Sequence, residues 1–290
     1  MSYDSRFWLE SGGVSDSCED SDGDGAFNIQ ELMIGKNPAN PHDVLGIHLR
    51  VYVAPDIYRN ITNILWGFLK ASRYIFDYTD GHAFISLIEF VDREKKANVI
   101  VKDFGETNWA GVATLVPREG YWFGGYWFDT GEVLLNYYYL NSSINYFAAI
   151  TGHELGHYVF GFFDEYEDAN GNDYPDDLQE ELSENNVCTV MGLGKLDPSK
   201  EIYYRELSTQ RDYDILASLA QKYNVNPITE QLAYKDYPCW YTILYDMYIM
   251  CDLIFYLGGD VYVGPHDKVL YYTPLPGPFT MVEAYVKIIW

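Results

Sequence analysis

Two histidines one helical turn apart, inside a run of apolar residues, leave a chain few ways to fold. In AAITGHELGHYVFG, residues 148–161, His153 and His157 are flanked by Ala148, Ala149, Ile150, Leu155, Val159 and Phe160. A helix puts both imidazoles on one face, because residues four apart are neighbours there. Two surface histidines satisfied by water would sit badly among such flanks, so the helix belongs in a core. Asn141 or Ser142 can cap its start, and Gly161 can end it.

A pair of neutral imidazoles at this spacing suits zinc. Glu154 is displaced about 100° round the helix from His153, close enough to take a proton from a metal-held water without being a ligand. Zinc lowers the pKa of such a water to about 7, and a neighbouring carboxylate can return the proton to a leaving amine. A catalytic zinc also needs a third protein ligand and an open fourth position. Gly161 lets the chain turn sharply, after which Asp164 or Glu165 can swing back under the metal. A rival geometry takes Glu180 or Glu181 from QEELSE, residues 179–184. Asp164 is preferred because the glycine before it explains the reversal, whereas the acidic stretch 167–187 reads as a solvated or cation-binding loop. His42, His48, His82 and His266 have no partner at ligand spacing and read as structural or surface residues.

HELGHYVFGFFDEY resembles the H-E-x-x-H-x-x-x-G-x-x-D-E pattern of the peptidase domain in the calcium-activated chloride channel regulator family, a metzincin-like branch of the zinc peptidases. The resemblance implies His153, His157 and Asp164 as zinc ligands and Glu154 as general base. It also implies a methionine turn beneath the zinc, which Met191 in NVCTVMGLG matches. In element order it spans about residues 46–257, but its specific motif covers 153–165. The pattern departs from the usual metzincin H-E-x-x-H-x-x-G-x-x-H in carrying Asp164 for the third histidine and the glycine one place later.

A second metal motif precedes this region. DSDGDGAFNIQE, residues 20–31, places oxygen donors at loop positions 1, 3, 5, 9 and 12 and Gly25 at the sixth. That is the template of an EF-hand calcium loop. Asp20, Asp22 and Asp24 would bind directly, Ala26 through its carbonyl, Asn28 directly or through water, and Glu31 with both oxygens. Only an exiting helix, IQELMIG, is evident, so the segment resembles the calcium-binding repeats of thrombospondin type 3. Calcium there would order a stretch too polar to bury itself, and such loops fill where calcium is abundant, which points to an extracellular or cell-surface address.

Composition narrows the partners. With 19 Lys and Arg against 43 Asp and Glu, the net charge of −24 repels phosphate backbones and anionic lipids, so nucleic acid is excluded as a partner. Residues 240–258 are oily, but Asp246 and Asp252 interrupt them, which favours a buried helix over direct membrane insertion. The first forty residues hold no apolar signal core. Cys18, Cys188, Cys239 and Cys251 form no C-x-x-C pair; a disulfide between Cys188 and Cys239 is the favoured pairing, since both follow the histidine motif in segments expected to pack beneath it.

Along the chain, IHLRVYV alternates Ile47, Leu49, Val51 and Val53 with His48, Arg50 and Tyr52, the period of a half-buried strand. Residues 57–76 switch to helical spacing, with Asp56 as N-cap and Gly81 past the end. Strands follow at 83–91 and 98–102, then an edge strand and one more within 108–139, and after the motif helix come helices at about 209–223 and 240–257. The fold expected is α+β: a metzincin-like zinc peptidase with a mixed twisted sheet and an active-site helix. Three segments are expected: 1–43 binding calcium, 44–258 forming the peptidase domain, and 259–290 a β-rich segment that could open a further domain.

The sequence therefore points to a secreted or cell-surface zinc endopeptidase with Glu154 as base, acting on a protein or peptide laid along an edge strand near GVATLV, residues 111–116. Two alternatives stay open. One is a calcium-dependent adhesive or structural surface module with a vestigial zinc site, and the other a zinc amidase acting on small substrates.

Overall fold

The computed structural model describes residues 21, 23, 26, 28–34, 39, 45–79, 81–94, 97–106, 110–113, 133–194, 207–243 and 285–288. Within these the architecture is α/β, a six-stranded mixed sheet with helices packed on it. The strands are β1 (Leu45–Val53), β2 (Ala83–Phe90), β3 (Val99–Lys102), β4 (Gly111–Ala113), β5 (Val133–Asn136) and β6 (Tyr285–Ile288), in the spatial order β4-β5-β3-β1-β2-β6. β4 runs antiparallel to β5, and the other neighbouring pairs are parallel.

The alternation in β1 is realised: Ile47, Leu49, Val51 and Val53 are buried while His48 and Arg50 are exposed. Helix α2 (Ile61–Tyr78) carries the chain from β1 to the parallel β2, burying Ile64, Phe68, Ala71 and Ile75 in the core. A 3-10 turn at Tyr58–Asn60 precedes it, so its N-cap is Asn60 and not Asp56, and no side-chain cap bond forms. The register between β1 and β2 slips at Ile47/His48, leaving Ser86 as the extra residue of a bulge. Gln30 of helix α1 (Asn28–Ile34) donates to the Ser86 carbonyl at 2.9 Å, which docks the N-terminal helix on the sheet.

Helix α3 (Tyr137–Ser142) is capped by Asn136, whose side chain accepts from the Tyr138 amide. Helix α4 (Ile144–Phe160) follows at once, capped by Ser143 accepting from the Tyr146 amide at 3.3 Å. The expected caps Asn141 and Ser142 instead close the preceding helix. α4 is buried round most of its circumference, as its apolar flanks demand. It crosses α2 closely: a Cβ on Gly67 would come within 2.5 Å of the Phe147 ring. Phe68 and Phe147 meet edge to face there, with centroids 5.9 Å apart.

A smaller apolar cluster lies under helices α5 (Asp176–Glu184) and α6 (Gln210–Tyr223), built on Tyr174, Leu178, Leu182, Val187, Leu193, Tyr213 and Leu216. The stretch 167–187 is thus not all loop, because Leu178 and Leu182, one turn apart, pull its second half into a helix. α6 starts with a capping box between Thr209 and Asp212. Two short helices follow, α7 (Glu230–Lys235) and α8 (Cys239–Thr242). Most of the expected 240–257 helix lies outside the described residues. No helix among the described residues is long and apolar enough to cross a membrane.

Candidate metal centre

α4 ends on Gly161, whose left-handed backbone (φ 63°) turns the chain back toward the helix. This reversal carries Asp164 to the histidines. Asp164 Oδ1 lies 3.3 Å from Nε2 of both His153 and His157, and the two Nε2 atoms are 3.1 Å apart. A tetrahedral zinc with bonds of about 2.0–2.1 Å has ligand atoms about 3.3 Å apart, so the three atoms fit one face of such a tetrahedron.

The outer atoms of these three side chains are fixed as well. His153 Nδ1 donates to the Val190 carbonyl at 2.8 Å and His157 Nδ1 to the Phe162 carbonyl at 2.7 Å, which leaves both Nε2 lone pairs facing inward. Asp164 Oδ1 is buried and faces the Nε2 atoms of both imidazoles, while Oδ2 accepts from the Tyr166 hydroxyl at 3.1 Å. Three electron-rich atoms turned on one another are mutually repulsive unless a cation or a proton sits among them. Without a metal the proton does so: burial disfavours a charged His153, but the Asp164 hydrogen bond and the Glu154 and Asp164 charges outweigh it and hold its pKa up at about 9. Asp164 is correspondingly lowered, its burial outweighed by its pairing with the two imidazoles.

Glu154 is buried beside the trio, under the edge of the sheet. Burial raises its pKa, the two imidazoles oppose that rise, and the Ala113 backbone N–H of β4 also stabilises the charged form. Gly111 makes this contact possible, since a Cβ there would stand 2.6 Å from Glu154 Cγ. The lower side of the site is the turn Thr189–Gly194. Met191 packs against Gly156, where a Cβ would meet its sulfur at 2.9 Å, so the glycine between the ligand histidines lets the turn approach. Gly192 (φ 95°) similarly makes room for the Tyr166 ring.

No family model, curated protein or solved structure matches the chain.

Either Asp164 or Glu165 could follow the glycine turn, with Asp164 the preferred ligand; the structure gives the two opposite fates. Glu165 is wholly buried and turned away from the histidines. It accepts from Thr189 Oγ1 at 2.7 Å, from Ser208 Oγ, from the Tyr213 hydroxyl and from Cys239 Sγ at 3.4 Å. Glu181 pairs with Lys222 and Tyr223 on the surface of α5, so the rival ligand from QEELSE is not at the centre. Glu167 and Glu230, which no motif singles out, form with Asp164 an acidic trio in which one oxygen from each lies within 4.8 Å of the others. The expected Cys188–Cys239 disulfide is absent: both are thiols, Cys188 bonded to Ser183 and Cys239 to Glu165.

Of the calcium loop, Asp20, Asp22 and Asp24 lie outside the described residues. Ala26, Asn28 and Glu31 are buried, and Asn28 is tied to Ser21 by two hydrogen bonds of 3.0 and 2.7 Å. His48 is exposed and His82 half-buried. His42 and His266 fall outside the described residues.

Proposed function

We propose that this chain is a zinc-dependent endopeptidase of metzincin-like fold. The observation that carries the reading is the trio of ligand atoms, 3.1–3.3 Å apart, with a buried carboxylate alongside that is not one of them. His153, His157 and Asp164 would hold zinc, which when bound supplies Lewis acidity toward a water and a peptide carbonyl.

The chain's own residues do the rest. Glu154 takes a proton from the attacking water and returns it to the leaving nitrogen, and burial makes it a stronger base than a surface glutamate. The Ala113 amide keeps its carboxylate aimed. Among the described residues β4 is the outermost strand beyond β5, so an extended peptide can align along it above Glu154. Resemblance to the calcium-activated chloride channel regulator peptidases supports the assignment through Asp164 and through Met191 under α4.

Calcium in the loop of residues 20–31 would order the N-terminal segment against the sheet, consistent with an extracellular or cell-surface address. An acidic chain of this kind would act on proteins or peptides and not on nucleic acid. Cleavage of casein and of a peptide library by wild type and Glu154→Gln, each with and without a zinc chelator, tests the reading. Zinc-dependent cleavage lost in the variant is expected. Equal turnover by the two proteins refutes it, and cleavage confined to small amides would favour an amidase.

A further inference from the structure

We propose that Glu165 is the positioning residue of the metal centre, setting its metal affinity without touching the metal. The inference rests on the zinc reading of His153, His157 and Asp164, and extends it to a neighbouring residue that is not a ligand in that reading.

Glu165 joins segments far apart in sequence: Thr189 in the turn beneath α4, Ser208 and Tyr213 at the start of α6, and Cys239 at the start of α8. Every one of these partners is a donor. Only an acceptor with several lone pairs can satisfy them together, which a carboxylate does and an amide does not. The two oxygens divide the work. Oε1 receives Ser208, Tyr213 and Cys239, and Oε2 receives Thr189 alone.

The Thr189 side matters for the metal. The Glu165 backbone N–H donates to the Met191 carbonyl at 3.0 Å, so backbone and side chain together grip the turn on either side of Val190. Thr189 Oγ1 in turn accepts from the Leu193 amide at 3.0 Å, closing that turn. Between these anchors lies the Val190 carbonyl that holds His153 Nδ1. On its other side, Glu165 is bonded directly to Asp164. One buried carboxylate thus fixes the third ligand through the chain and orients the first ligand through the turn. The remaining backbone ties of Asp164, to the Glu230 side chain and from the Gln231 amide, are both long at 3.3 Å. Outer partners of this kind typically change metal affinity about 10- to 100-fold when removed.

The division between the oxygens supplies the test. Glu165→Gln can keep its carbonyl toward Ser208, Tyr213 and Cys239 but then turns an NH2 on Thr189, leaving the threonine hydroxyl hydrogen without an acceptor. Thr189→Val removes the same link from the other end. Tyr213→Phe removes a donor on the α6 side and leaves the turn alone. Zinc affinity of the full chain is measured by competition with a chromophoric chelator, beside thermal melting of the metal-free proteins. Glu165→Gln and Thr189→Val should each weaken zinc by about ten-fold or more. Tyr213→Phe should lower the melting temperature and leave zinc affinity within about two- to three-fold of wild type. Should Glu165→Gln fail to fold, Thr189→Val carries the same expectation alone. Equal zinc affinity in all four proteins, whatever their melting temperatures, overturns the proposal and leaves the centre intact. Failure of wild type to take up zinc removes the centre itself and the proposal with it.

Discussion

Replacing Gly111 by alanine should disable the base without disturbing the metal. The backbone at Gly111 is not left-handed, so the constraint on it is space. A Cβ would stand 2.6 Å from Glu154 Cγ, 2.7 Å from its Oε1 and 2.8 Å from Ile150 Cγ2. Carbon atoms in contact prefer about 3.5–4.0 Å, so either the Glu154 carboxylate or β4 must move by about 1 Å. Ile150 and Glu154 lie one turn apart on the buried α4, which resists displacement, and the carboxylate is the softer end. A misplacement of about 1 Å at a reacting group can cost about 100-fold in rate. The expected result in a peptide-cleavage assay is a fall in kcat of that order, with KM and zinc content per chain near wild type. Glu154→Gln sets the floor. Wild-type kcat in Gly111→Ala, while Glu154→Gln is inactive, would show that β4 moves aside and that its contact with the base is not needed. A loss of zinc alongside the loss of rate would place the damage at the ligands.

In chelated, metal-free protein the His153 pKa is raised from its unfolded value of about 6.5 to about 9, so the stability it contributes is complete below pH 6.5 and lost as pH rises through 9. That loss is on the order of 3 kcal/mol and should disappear from thermal melts when zinc is bound, because the metal replaces the proton. Gly161→Ala forces a left-handed residue at φ 63° and should cost about 1 kcal/mol by chemical denaturation. Alkylation in denaturant without reductant, followed by peptide mapping, should label both Cys188 and Cys239. Calcium at about 100 times its dissociation constant should raise stability by about 2.7 kcal/mol, and Glu31→Gln should abolish most of the shift; no shift in wild type would remove the calcium loop from the reading.

The parts of the structure that were legible in advance are those written in local spacing. His153 and His157 at four residues, Gly161 at the helix end and the alternation of Ile47 to Val53 each follow from the period of one element. What was missed depends on competition or distance. Asn141 and Ser142 are good caps, but Asn136 opens a helix before them and hands the next cap to Ser143. Leu178 and Leu182 carried a helical signal that the surrounding acids masked, so 176–184 read as loop. Glu165 has partners at 189, 208, 213 and 239, a set with no spacing rule, and its role as anchor could not be told from that of a ligand. The same holds for Cys239, whose companion is a carboxylate and not another sulfur.

The strand Tyr285–Ile288 closes the far end of the sheet by pairing with Leu87–Phe90. It is only four residues long, the kind of short border that discourages another chain from stacking on. Cutting the polypeptide ahead of Tyr285 would move that border inward to AFISLIEF, eight residues with a single charge, laid bare along its hydrogen-bonding side. A truncated protein would then face self-association along that bared strand, so a preparation trimmed for convenience would lose solubility for reasons unrelated to the proposed metal centre.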